Sequence, residues 1–226
     1  MTTLPSRWPA TDPTRIQLYS LPTPNGKKAS IMLEETGLPY DAHLINIMKG
    51  DQRDPEFVAI NPNSKIPAII DPQGPGGEPL AIMESGAILI YLARKAGMLL
   101  PTDPRDESRV LQWLFFQVGS VGPMFGQFGH FYKYAKGKTD SYGEERYRKE
   151  TVRLLEVLDT NLAGNKWIAG DYSIADIALA PWVDSFDFYE CHDAVEYARF
   201  TNVHAWMERF HARPAVKRGS VIPSMD

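Results

Sequence analysis

The sequence predicts an α/β N-terminal half built on a small mixed four-stranded sheet, followed by an all-helical C-terminal half. Three observations carry this. Between Ile16 and Gly97, short apolar runs alternate with proline, glycine and asparagine at close intervals, the punctuation of brief strands and helices. After the proline- and charge-rich stretch MLLPTDPRDE at 98–107, strand signals cease. Further on, Tyr147, Thr151, Leu154, Leu155, Leu158 and Leu162 recur at the spacing of one helix face.

Taken in order, residues 1–14 hold three prolines and no apolar core of a signal peptide, so they are expected to form a flexible N-terminal arm. Ile16–Tyr19 reads as a strand stopped by Pro22 and Pro24. Gly26–Gly37 has small or apolar residues at Ala29, Met32, Leu33 and Thr36, a helix ended by Gly37–Leu38–Pro39. Tyr40–Ile47 is the second strand, followed by a polar loop with a short helix near Pro55–Ile60. Ile66–Asp71 and Pro79–Met83 are the third and fourth strands. The stretch between them, PQGPGGEP, with three prolines counting Pro79 and three glycines, suits an open hairpin. Ser85–Ala96 returns to helical spacing. Two parallel strands joined by a helix, then an antiparallel hairpin and a helix, make a βαβ-ββα sheet. The expected boundaries are a domain at 15–97, a linker at 98–107 and a helical domain at 108–226. Its helices are Glu107–Val118, Pro123–Tyr134, the one carrying the leucine stripe, Ile174–Tyr189 and Asn202–Ala212.

Composition narrows the function. The chain of 226 residues is 43% hydrophobic and 23% charged, which supports a packed core and excludes wholesale disorder. Net charge is −4 and neither half is basic, which argues against nucleic acid or an anionic membrane as a partner. Cys191 is the single cysteine, so an intrachain disulfide, a Cys-x-x-Cys pair and a cysteine-rich zinc site are excluded. The five histidines form no His-x-x-x-His pair, and no metal is expected. No apolar run reaches the ~18 residues of a membrane helix. A cytoplasmic protein is expected.

Three places suit chemistry. In the turn Leu21–Gly26, a helix start offers unpaired N–H groups beside Thr23 and Asn25, which fits an anion site or a plain N-cap. At Glu84–Ser85–Gly86, a strand runs into a helix. Ser85 and the first helical N–H groups suit a carboxylate, and Glu84 suits an amine, together the needs of an α-amino acid head group. The alternative is a capped helix with a solvated Glu84. Ile66–Pro67 starts a strand where proline removes a ladder donor, which points to an open sheet edge able to pair with an extended peptide. Ser173 and Asp176 have capping-box spacing, a structural motif.

TPNGKK at 23–28, NSKIPAI at 63–69, ESGAILIYLA at 84–93 and YSIADI at 172–177 make residues 15–215 resemble the glutathione transferases. TPNG and GPMFGQFGHF at 122–131 are similar to the bacterial Nu class, some of whose members are glutathione-dependent disulfide-bond reductases. The resemblance implies a thioredoxin-like N-terminal domain and a homodimer. It also implies glutathione as co-substrate, acting on a small electrophilic, peroxide or disulfide substrate. It assigns Glu84 and Ser85 to the γ-glutamyl head group, Ile66 to the cysteinyl backbone and Gln52 and Lys65 to the glycine end. Arg146 would reach the same ligand from the helical domain, and Thr23 and Asn25 would serve the sulfur. Gln127, His130 and Tyr134 are the polar candidates for an acceptor pocket in an aromatic stretch that equally suits core packing. The alternative function is a non-catalytic interaction module on the same fold. Many members place Tyr, Ser or Cys at the sulfur. Here no cysteine lies near the turn, and Tyr19 sits within a strand.

Overall fold

In a computed structural model describing residues 3–138 and 140–225, the chain divides into two units. The first comprises residues up to Met98 together with the segment from Pro214 onward. Its strands are Ile16–Ser20 (β1), Tyr40–Leu44 (β2), Ala68–Asp71 (β3) and Leu80–Met83 (β4). Among the described residues they form one sheet in the order β2-β1-β3-β4. β1 pairs parallel with β2 and antiparallel with β3, and β3 pairs antiparallel with β4, as the βαβ-ββα reading requires. β1 and β3 are buried along their whole length because both of their neighbours are strands and helices cover the sheet.

Between and after the strands run the helices Pro24–Thr36 (α1), Pro55–Ile60 (α2) and Ser85–Ala96 (α3). α1 and α3 end on Gly37 and Gly97 in the left-handed conformation, the usual glycine C-cap. Ile66–Pro67 is a cis peptide. The sheet corrects one expectation: Ile66 leads into β3, an interior strand, so it does not stand on a sheet edge. The strand starts two residues later than expected because Pro67 cannot donate to the ladder.

The N-terminal arm, expected to be flexible, packs against the sheet unit over the residues described; positions 1 and 2 lie outside them. Leu4 and Trp8 lie against a core cluster that includes Tyr19, Phe57 and Ile60. The Trp8 ring meets Tyr19 and Phe57 edge-on at 6.5 and 6.4 Å. One buried tryptophan face outweighs the arm's proline-rich composition, since an aromatic side chain carries a large hydrophobic contribution.

At the other end of the chain, Pro214–Gly219 forms a helix (the last of those described) that joins the N-terminal unit instead of the helical one. Gly219 permits this. A Cβ there would stand 2.5 Å from Ile31 Cα, and the Gly219 carbonyl accepts a 2.7 Å hydrogen bond from Ser30 Oγ. Arg218 also pairs with Glu34.

The second unit, Leu99–Arg213, is helical. Its first helix begins inside the expected linker. Asp103 caps Pro104–Phe116 (α4) by accepting from the N–H groups of Arg105 and Asp106, with proline at the first position. The helices expected at 107–118 and 123–134 are one run: α4, a π-turn at Gln117–Val121, Gly122–Gly129 (α5) and a second π-turn at His130–Tyr134. Pro123 lacks an N–H, and the helix takes in an extra residue ahead of it, with Gly122 N–H donating to the Gln117 carbonyl. Tyr142–Leu162 (α6) buries Thr151, Leu154, Leu155, Leu158 and Leu162 as the stripe requires. Ile174–Tyr189 is broken at Asp184 into Ile174–Val183 (α7) and Ser185–Tyr189 (α8), and Thr201–His211 (α9) follows, with Pro214–Gly219 as α10. The capping box forms at Ser173, where Asp176 accepts from the Ser173 N–H at 3.0 Å. Asp176 also accepts from the Ile168 N–H and Trp206 Nε1, and its burial pushes its carboxyl up to about 6. Position 226, the end of the expected helical domain, lies outside the described residues.

Candidate functional site

Strand register brings the N-terminal candidates to one end of the sheet. Tyr19 pairs with Ala68, and Ala68 with Met83. Ile66 stands two residues ahead of Ala68, Leu21 two residues after Tyr19 and Ser85 two residues after Met83, so all three lie at this end. β2 runs parallel to β1, and the Ile45 N–H donates to the Ser20 carbonyl, so the loop carrying Gln52 also leaves from this end. α1 and α3 both start here, and their N-terminal N–H groups give this end a partial positive charge.

Thr23 is the N-cap of α1, and its Oγ1 accepts from the Gly26 N–H at 3.3 Å. That contact uses a lone pair and leaves the hydroxyl proton free to donate elsewhere, so capping and anion binding are compatible. Gly26 is required by close approach. A Cβ would stand 1.8 Å from the Leu21 carbonyl oxygen. Asn25 is half-buried in the first turn of α1. Tyr19 is fully buried in β1, stacked on His43 at 4.7 Å, and burial raises its phenol above the usual range. It belongs to the sheet core.

Glu84 is the residue before α3 and holds φ 68°, a left-handed backbone for a non-glycine residue. Such a conformation costs on the order of 1–3 kcal/mol and persists where the surroundings impose it. Its side chain is exposed, with a 3.4 Å contact from Asn63 Nδ2 to Oε1. Ser85 follows at 8% exposure. Beneath it lies a residue that sequence reasoning passed over. Lys28, on α1, is 1% exposed and its Nζ donates to Ser85 Oγ at 3.3 Å. Burial pushes the ammonium down to about 7, against the opposing pull of Glu84. The sequence carries Lys28 within TPNGKK, where nothing local distinguishes it from Lys27.

Gln52 is half-buried on a short 3₁₀ turn, Asp51–Arg53, with Oε1 buried and lacking a hydrogen-bond partner. The turn is clamped by the N-terminal arm. The Arg7 guanidinium forks onto Asp51 and Asp54, on either side of Gln52, while Ser6 Oγ and the Arg7 N–H donate to Glu56. Lys65 is exposed, and its carbonyl accepts from the buried Asn61 Nδ2 at 2.6 Å, which fixes the loop leading to Ile66.

Arg146, Gln127, His130 and Tyr134 belong to the helical unit. Gln127, His130 and Tyr134 share one exposed face of α5 and the π-turn after it, with the His130 and Tyr134 rings 6.3 Å apart. Phe125 and Phe128 are fully buried core. The glycines that follow each of them face side chains of the same unit: a Cβ at Gly126 would meet Trp182, and one at Gly129 would enter the Tyr189 ring. Arg146 is exposed on α6 in a cleft of about 520 Å³ shared with Met124, Tyr142, Tyr147, Glu150 and Arg153. Cys191 is buried, with its thiol pushed up to about 12 by desolvation. Among the described residues no cluster of His, Cys, Asp or Glu suits a metal ion, and no helix is long and apolar enough to cross a membrane.

Family models for the glutathione S-transferase N-terminal domain and C-terminal domain match residues 23–95 and 130–214. The chain is 46% identical over 202 residues to the disulfide-bond oxidoreductase YfcG of Escherichia coli K12, covering 88% of this chain and 92% of that one. It is 45% identical to YghU of the same organism, covering 92% of this chain and 74% of YghU. Among solved structures, a glutathione transferase from Burkholderia graminis has two glutathione molecules bound per subunit. It superposes with a TM-score of 0.95 at 54% identity, over 97% of this chain and 93% of that one. A glutathione transferase from Pseudomonas putida, with one glutathione disulfide bound per subunit, gives 0.95 at 52% identity over 96% of both chains.

Proposed function

The chain belongs to the glutathione S-transferase family, and from that premise we propose that it binds glutathione at the sheet end where α1 and α3 begin and uses its thiolate to reduce disulfides. The observation that carries this is the arrangement there: a carboxylate at Glu84 for an ammonium, Ser85 with a helix start for a carboxylate, and the Thr23 hydroxyl at a second helix start. Ile66 would offer its backbone to the cysteinyl unit, and Gln52 and Lys65 would serve the glycine end. Thr23 and Asn25 would donate to the sulfur. The relatives named as disulfide-bond oxidoreductases favour a disulfide as the electron acceptor.

A glutathione thiol of ordinary pKa near ~8.5 is mostly protonated at neutral pH, and hydrogen-bond donors at a helix start favour its thiolate. The thiolate attacks one sulfur of the disulfide, forming a glutathione mixed disulfide and releasing the other sulfur as a thiolate that takes up a proton. A second glutathione thiolate attacks the mixed disulfide at the glutathione sulfur, giving glutathione disulfide and the second substrate thiol. Two glutathiones supply both electrons, and the deeply buried Cys191 has no part. In the helical unit, the exposed Gln127, His130 and Tyr134 are the candidates for acceptor contacts, and Arg146 suits a carboxylate by its charge. This chemistry fits the cytoplasm, where the glutathione pool is kept reduced. The test is capture on immobilised glutathione followed by a panel of a disulfide, a hydroperoxide and an aromatic electrophile. Turnover greatest on the disulfide is expected; failure to bind glutathione, or turnover confined to the electrophile, overturns the reading.

Arg7→Ala should leave the fold intact and weaken glutathione binding roughly two- to fivefold, the range of an exposed ion pair acting through a loop. Calorimetry reads this, and an unchanged affinity would detach Gln52 from the ligand. We also propose a homodimer, supported by exposed apolar side chains on the first run of the helical unit, among them Phe115 at 64% and Val118 at 37%. Light scattering should give twice the 25.4 kDa chain mass, and a particle of that single mass at micromolar concentration removes the dimer.

A further inference from the structure

We propose that Lys28 is a positioning residue for glutathione, holding Ser85 so that its hydroxyl proton points to the carboxylate of the γ-glutamyl head group. The inference rests on the functional reading above and deepens it. An ammonium has three donors and no acceptor, so the 3.3 Å contact makes Ser85 Oγ the acceptor. Two consequences follow for the serine: its rotamer is fixed, and its own O–H must seek another acceptor. Burying a lysine at 1% exposure is expensive, and an apolar side chain of similar volume would fill the space between α1 and α3 without that penalty. Among the groups that face it are Ser85, at the start of α3, by hydrogen bond, and Glu84, just before it, by charge. They are the two residues assigned to the head group. A lysine serving only as a tether between helices has no need of that address.

The experiment measures binding by calorimetry for wild type, Lys28→Met, Ser85→Ala and the double variant, each with two ligands. One is glutathione. The other is its analogue in which γ-aminobutyrate replaces the γ-glutamyl unit, which keeps a glutathione-like thiol but lacks the head-group ammonium and carboxylate. Lys28→Met is expected to lose roughly tenfold or more in affinity for glutathione, the size of one hydrogen bond to a charged group, and less than about twofold for the analogue. The double variant should bind glutathione no more weakly than Ser85→Ala alone, because Lys28 acts through the serine. Equal losses for both ligands, or additive losses in the double variant, overturn the proposal and leave Lys28 a helix tether. Lys28→Gln carries the same comparison should the methionine variant not fold. If wild type binds neither ligand, the functional reading itself falls, and the proposal with it.

Discussion

Replacing Glu84 by alanine is expected to weaken glutathione binding by about 2 kcal/mol, roughly thirtyfold, while leaving the fold intact. The carboxylate is exposed and is approached by Asn63 Nδ2 at 3.4 Å, so little native structure depends on it. The ligand ammonium, by contrast, would lose its counter-charge. The backbone sharpens the test. At φ 68°, alanine is as strained as glutamate, whereas glycine is not. Glu84→Gly should therefore melt above Glu84→Ala, yet bind glutathione equally poorly. Calorimetry and thermal melts separate the two effects. Full affinity in either variant would show that the head group sits elsewhere.

The double replacement Thr23→Ala, Asn25→Ala should retain glutathione but raise its thiol pKa by about one to two units for each lost donor. Disulfide reduction at neutral pH should nearly vanish and return in part as pH climbs, because the thiolate fraction then recovers. Tyr19 cannot compensate: it is buried in the sheet and burial disfavours its ionised form. Thr23→Ala alone also removes the cap on Gly26, and a lost N-cap typically costs about 1 kcal/mol of stability. Asn25→Ala leaves the Thr23 cap in place and carries its own smaller loss at the helix start. Titrating the ultraviolet absorbance of the bound thiolate reads the pKa directly. Coincident curves for wild type and variants would reduce both residues to helix-start chemistry.

The sheet was legible because each strand is bounded by proline or glycine and each α/β helix carries its apolar spacing. Glu84–Ser85 and Thr23–Asn25 were legible for a related reason: they sit at strand-to-helix turns, where a polar residue has a local job that sequence exposes. What stayed hidden was long-range. Trp8 and Arg7 read as part of a loose arm because their partners, Phe57, Asp51 and Asp54, lie over forty residues away. Lys28 drew no reading because nothing nearby in sequence marks Ser85, 57 residues on, as its partner. The start of α4 was missed for a local reason, since Asp103–Pro104 is a good cap followed by an all-polar first turn that resembles a linker. Ile66 was misplaced on an edge because proline argues for an edge, although β3 begins only after it.

The return of α10 to the N-terminal unit has a consequence during synthesis. The strands and helices that carry the site leave the ribosome first, but the surface of α1 around Ser30 and Ile31 stays uncovered until Gly219 is made. About 115 residues of the helical unit lie between. At ~5–20 residues per second, the first unit waits ~6–23 s for its last helix, longer than a small sheet needs to collapse. Since α1 also bears Thr23, Asn25 and Lys28, a stalled chain ending at Arg213 should hold a loosened site. Such a truncated chain, released and assayed, is expected to be cut rapidly by protease within α1 and to bind glutathione poorly. Equal protection of α1 in both chains would mean the helix is secured without its late partner.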